Sequence, residues 1–210
     1  MAGPISVDSV SRPIIAPSLL AADPLDIAGS IELLQGGFDW MHMDIMDGHF
    51  VPNLSYGHSL VSACRRRWPG SFLDVHLMVV PPENFLESFS EAGASLLTVH
   101  QEATPHIHRV LQRIRDLGCL AGITLNPGFG GQPFLPEVLE KARLLCCWRE
   151  AFEHRYLIEV DGGIGLDNVK MVTQSGCDVI VAGSSIFSSS DPAGTVREMR
   201  TRAREGIDSV

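Results

Sequence analysis

Four residues could do chemistry together: His42, Asp44, His76 and Asp161. His42 and Asp44 stand two apart in "WMHMDIM" (40–46), His76 lies in "FLDVHLM" (72–78), and Asp161 ends "YLIEVD" (156–161). Two imidazoles and two carboxylates suit a divalent ion such as zinc, iron(II), manganese or cobalt. All three stretches have the composition of β-strands, in which side chains alternate between faces. Trp40, His42, Asp44 and Met46 then share one face, as do Asp74, His76 and Met78, and Leu157, Glu159 and Asp161. One inward histidine reads as a hydrogen-bonded interior residue. Four ligand-type residues at equivalent strand ends point to a metal instead.

Glycine-rich turns form a second group: "NPGFGGQ" (126–132), "DGGIG" (161–165) and "AGSSIF" (182–187). Backbone N–H groups at such turns and at helix N-termini hold phosphate. The last two follow the final two strands, the usual phosphate position in a barrel. Backbone donors would let a chain of net charge −9, with Lys141 and Lys170 as its lysines, bind an anion.

The elements that must position these groups alternate along the chain. Strands are expected over 14–19, 39–45, 72–78, 96–100, 120–126, 156–161 and 178–183, and helices over 24–35, 83–92, 105–117, 136–153 and 167–175. "EAGA", "DLGC" and "QSGC" each place a glycine at a helix C-terminus before a strand. This rhythm means βαβ units and a parallel sheet. The first strand is followed by "APSLLAAD" and not by a GxGxxG fingerprint. The expected class is therefore an α/β, TIM-type (β/α) barrel, with polar strand faces pointing inward and strand ends at the C-terminal mouth. Seven strands can be counted where such a barrel has eight. His100, ending strand 96–100, is left outside the site.

The 210 residues suffice for one large core. The expected organisation is a flexible tail over 1–12 and a single catalytic barrel domain over 13–210. The acidic balance argues against nucleic acid and anionic membrane as partners. No apolar run is long enough to span a bilayer, and residues 1–12 do not read as a secretory signal. Five cysteines without CxxC spacing read as reduced thiols of a cytoplasmic protein.

"IAPSLLAAD", "HMDIMDGHFVPN", "DVHLMV", "GITLNP", "NPGFGGQ", "EVDGGI" and "VAGSSIF" resemble the signature segments of the ribulose-phosphate 3-epimerase family, from about Ile14 to about Arg200. Related decarboxylases of this barrel type carry Asp-x-Lys-x-x-Asp, whereas the segment here is Asp44-Ile45-Met46-Asp47. The resemblance implies interconversion of D-ribulose 5-phosphate and D-xylulose 5-phosphate, in the pentose phosphate or Calvin pathway. It implies one divalent metal ion on His42, Asp44, His76 and Asp161, with Asp44 as proton acceptor and Asp161 as proton donor. It places Ser18, His76, the turn Gly128, Phe129, Gly130 and Gly131, Gly162, Gly163, Gly183 and Ser184 on the substrate, with Met46 and Met78 lining the cavity. A homo-oligomer is also implied. An epimerase for another ketose phosphate, such as allulose 6-phosphate, is the alternative within the class. A shortened phosphosugar-binding chain without turnover is the alternative outside it.

That second alternative comes from a departure. In the family pattern "TLNP" closes the fifth strand; a helix and a sixth strand follow, and that strand ends in its own "NP" before "GFGGQ". Here the two are fused as "GITLNPGFGGQ" (122–132). About two dozen residues, one helix–strand unit, are missing at Asn126-Pro127. The consequence is either a direct pairing of strands 120–126 and 156–161 or unpaired edges on both.

Overall fold

Strand and helix alternate as the hydrophobic pattern requires in a computed structural model, which describes residues 12–125 and 133–209. The strands are β1 (Ile14–Pro17), β2 (Trp40–Met46), β3 (Phe72–Met78), β4 (Leu96–His100), β5 (Leu120–Thr124), β6 (Glu159–Val160) and β7 (Val179–Ala182). The helices are α1 (Ile27–Glu32), α2 (His58–Arg67), α3 (Leu86–Glu91), α4 (Ile107–Asp116), α5 (Val138–Ala151), α6 (Val169–Gln174), α7 (Ser184–Phe187) and α8 (Pro192–Ile207). Seven strands are thus present among the described residues, and every ladder is parallel. Gly93, Gly118 and Gly176, the three expected helix ends, all adopt positive φ. The tail lies outside the described residues except for Arg12, whose guanidinium is 2.7 Å from the Asp178 carboxylate.

The chain divides into two compact units. One holds β2–β5 in the order β2-β3-β4-β5, with α2, α3, α4 and residues 18–20. β2 and β3 are buried along their whole length, as expected for strands covered on both faces. Their register sets His42 opposite Asp74, Asp44 opposite His76 and Met46 opposite Met78. β4 continues the sheet, and β5 closes it with Thr98 opposite Gly122. A Cβ at Gly122 would stand 2.2 Å from the Thr98 hydroxyl, so glycine alone fits there.

β5 differs from its neighbours. Among the described residues it pairs with β4 only, and none of its residues is buried. Ile123 is 51 % exposed. The apolar sequence "LAGIT" has the composition of an interior strand but occupies a sheet edge.

The other unit holds β1-β7-β6 with α1 and α5–α8. Its core gathers Ile15, Ile158, Val160, Ile180, Val196 and Met199, among others. α8, the longest helix, starts at Asp191, whose side chain accepts the Gly194 N–H, with Pro192 at the first turn. β6 is shorter than the expected 156–161. The buried Asp178 carboxylate takes the Ile158 N–H at 2.8 Å, and Arg149 donates to the Tyr156 carbonyl at 3.2 Å. Side chains thus satisfy backbone groups just ahead of the two-residue β6–β7 ladder. Among the described residues β6 pairs with β7 only. α5 leaves Leu144, Leu145 and Trp148 exposed, followed by Phe152. All five cysteines are free, and Cys64, Cys119 and Cys177 are buried. Burial pushes the Cys64 thiol up to about 11 and the Cys177 thiol up to about 12.

Candidate metal centre

The β2–β3 register puts three of the expected ligands together. His42, Asp44 and His76 offer donor atoms that lie within 4.8 Å of one another, and all three residues are buried. His42 Nε2 stands 3.2 Å from Asp44 Oδ1, and His76 Nδ1 is 3.1 Å from the same oxygen. Ser18 follows β1, bridges to His42 in parallel, and donates its hydroxyl to Asp44 Oδ2 at 2.6 Å. Burial by itself would push the Asp44 carboxyl up. His42 and His76 outweigh it and hold the group well below the usual carboxylate range. Burial would push His42 down, but Asp74 and Asp44 hold its imidazolium well above the ordinary value.

Two further residues join this centre. Asp74 Oδ2 lies 2.6 Å from His42 Nδ1, so the outer nitrogen of His42 is fixed and its Nε2 is turned toward Asp44. His100 Nε2 lies 2.8 Å from His76 Nε2. Burial, and then the neighbouring His76, pushes His100 down to about 4. The sequence carries a signal for both: Asp74 shares the inward face of β3 with His76, and His100 ends β4 at the height of the cluster. Imidazoles whose far nitrogen is held by a carboxylate or another acceptor are the usual form of metal-ligating histidines. Two imidazoles and one buried carboxylate, oriented in this way, fit a divalent ion.

The roof is apolar. Met46, Met78 and Val51 cluster with Leu20 and Phe50, and the Phe50 ring packs 4.8 Å from His100. Asp47 shapes the segment that carries Phe50: Oδ1 accepts the N–H groups of His49 and Phe50 at 2.8 Å, and Oδ2 accepts that of Val80 at 2.9 Å. Gly48 takes φ +72°, which the turn requires. Ser55 accepts the Met46 N–H and donates to the Asp44 carbonyl, locking the backbone at the end of β2.

The remaining expected residues belong to the other unit or lie outside the described residues. Asp161 directly follows β6 and is exposed. Gly162 and Gly163 follow with φ +112° and +67°; a Cβ on Gly163 would stand 2.3 Å from the Phe134 nitrogen. Gly183 caps α7, and Ser184 is its first residue. The Ser185 hydroxyl donates to the Ile164 carbonyl at 2.6 Å, which ties the turn after β6 to that after β7. Gly128, Phe129, Gly130 and Gly131, with the Asn126-Pro127 junction, lie outside the described residues.

Comparison with known proteins gives three findings. A model of the "Ribulose-phosphate 3 epimerase family" matches residues 14–127 and again 123–187. A ribulose-phosphate 3-epimerase from Synechocystis is 40 % identical, covering 91 % of this chain and 94 % of its own. One from Aquifex aeolicus is 37 % identical over 213 positions, covering 90 % of this chain and 96 % of its own. Among solved structures, 3-keto-L-gulonate-6-phosphate decarboxylase from Vibrio cholerae has the same fold, with a TM-score of 0.69 at 15 % identity, over 92 % of this chain and 98 % of that one. The two family matches overlap at 123–127, "ITLNP", so the same five residues are matched by two separate parts of the family model. In the Aquifex match, 213 positions take in only 90 % of 210 residues, leaving about two dozen positions that face no residue here.

Proposed function

Because the chain belongs to the ribulose-phosphate 3-epimerase family, we propose that it inverts C3 of a ketopentose phosphate, interconverting D-ribulose 5-phosphate and D-xylulose 5-phosphate. The observation that carries this reading is the buried His42–Asp44–His76 cluster on β2 and β3. His42, Asp44, His76 and Asp161 would hold one divalent ion, which when bound polarises the ketone and hydroxyl oxygens of the sugar.

The residues divide the work as follows. Asp44, kept ionised by the two histidines, removes the C3 proton from one face. The C–H electron pair moves onto the neighbouring ketone and gives a planar enediolate. Asp161, at the end of β6, delivers a proton to the opposite face of C3: the enediolate oxygen re-forms the carbonyl and the C2–C3 π pair becomes the new C3–H bond. Asp44 ends protonated and Asp161 ionised, so the reverse reaction uses the same pair in exchanged roles. Ser18 holds Asp44 in position through its hydroxyl. Met46 and Met78 keep the roof dry without offering competing protons. Backbone N–H groups at Gly162, Gly163, Gly183 and Ser184, with the Gly128–Gly131 turn, take the phosphate.

Asp44→Asn and Asp161→Asn should each lower turnover by about 10²–10⁴-fold while phosphosugar binding stays detectable. Metal content is measured alongside, since both residues are also ligands. Near-wild-type turnover in either variant with metal retained contradicts the two-acid scheme. The missing helix–strand unit favours the alternative of a chain that binds the phosphosugar without turning it over. Binding with no turnover in the metal-loaded wild type would select that alternative.

A further inference from the structure

The contact between His76 and His100 constrains where protons can sit. Two imidazole nitrogens 2.8 Å apart need one proton between them, one ring donating and the other accepting. The His76 nitrogen that faces Asp44 is Nδ1. If Nδ1 is to be a ligand it must be unprotonated, so the proton of a neutral His76 must be on Nε2. His100 then has to accept that proton's hydrogen bond with an unprotonated Nε2 and carry its own proton on Nδ1. His100 is wholly buried and Phe50 packs against its ring; its Nδ1 makes no hydrogen bond among the described residues, and the Glu102 carboxylate faces it at 3.6 Å.

We propose that His100 is a positioning residue: it accepts the His76 Nε2–H, fixing the tautomer and ring orientation that present His76 Nδ1 beside Asp44 and His42. β4 thereby supports a ligand carried by β3, much as Asp74 on β3 supports His42 on β2. The inference rests on the metal reading given above.

The test uses zinc as probe on the full chain and two variants. His100→Phe keeps an aromatic ring but removes the acceptor; His100→Gln keeps an acceptor in its side-chain oxygen. By chelator competition, His100→Phe should weaken zinc binding by about 10–100-fold, and His100→Gln should restore it to within a few-fold of wild type. In the zinc-loaded wild type, nitrogen-15 NMR should show the His76 proton on Nε2 and the His100 proton on Nδ1. A His76 proton on Nδ1, wild-type zinc affinity in His100→Phe, or equal losses in both variants overturns the inference while leaving the metal reading intact. A wild-type chain that binds no zinc overturns both.

Discussion

At the scale of single residues, the centre is two strands' worth of side chains whose register does the positioning. His42 and His76 each use one nitrogen toward Asp44 and the other toward a buried partner. Asp74 should therefore matter although it holds no ligand position. Asp74→Asn keeps the shape but replaces the carboxylate, and should weaken divalent-ion binding by about 10–100-fold, measured by chelator competition. An unchanged affinity would mean that Asp74 only fills space. The alternation of polar residues in "WMHMDIM" and "FLDVHLM" makes the shared face of these side chains legible in the sequence, because a strand's period is fixed by its backbone. The supporting contacts were less legible. Asp74 becomes a partner of His42 only once a register pairs them, and register belongs to two strands together.

At the scale of elements, the segment after β2 and the strand β5 make opposite cases. Asp47 gathers three backbone N–H groups and holds the Gly48–Phe50 turn over the centre. Burial works against its ionisation, but the N–H groups of Phe50, Val80 and His49 bring its carboxyl below the ordinary value. A lowered folded value means that its stabilisation is complete above the unfolded carboxylate value of about 3.9 and is lost as pH falls through the lower folded value. Asp47→Ala should cost about 1–2 kcal/mol near neutral pH, less than its three charge-assisted hydrogen bonds would give if fully buried. The gap between wild type and variant in urea unfolding should close as pH falls below about 4. A gap that persists into strong acid would assign the effect to something other than the ionised carboxylate.

β5 was legible as a strand, but its sequence alone could not show its exposure, because "LAGIT" reads like any interior strand. The doubled family match at "ITLNP" points to the reason: the family model passes through this stretch twice while the chain passes once, and β5 has only β4 beside it among the described residues. Unpaired apolar edges template association unless a charge interrupts them. Ile123→Lys should slow concentration-dependent aggregation, followed by light scattering, without loss of zinc affinity. Unchanged aggregation would clear this edge.

At the scale of the whole molecule, one missing unit links several observations. It accounts for seven strands among the described residues, an exposed β5, a two-residue β6 and an α5 that leaves Leu144, Leu145 and Trp148 in solvent. In a (β/α) barrel the helix preceding α5 would be its neighbour, and among the described residues no helix lies between β5 and α5. Inserting a helix–strand unit between Asn126 and Pro127 should raise thermal stability, each kcal/mol gained appearing as about 2–4 °C in Tm, and should raise turnover with it. No gain in either would mean that the chain has adapted to its shortened form. The central claim is that this shortened chain still moves a proton off and onto C3. The most direct measurement incubates the metal-loaded protein with D-ribulose 5-phosphate in deuterated water and follows the products by NMR. The account predicts D-xylulose 5-phosphate carrying deuterium at C3, formed by wild type and lost in Asp44→Asn and Asp161→Asn. Phosphosugar that stays unconverted and undeuterated in the presence of bound metal would contradict it.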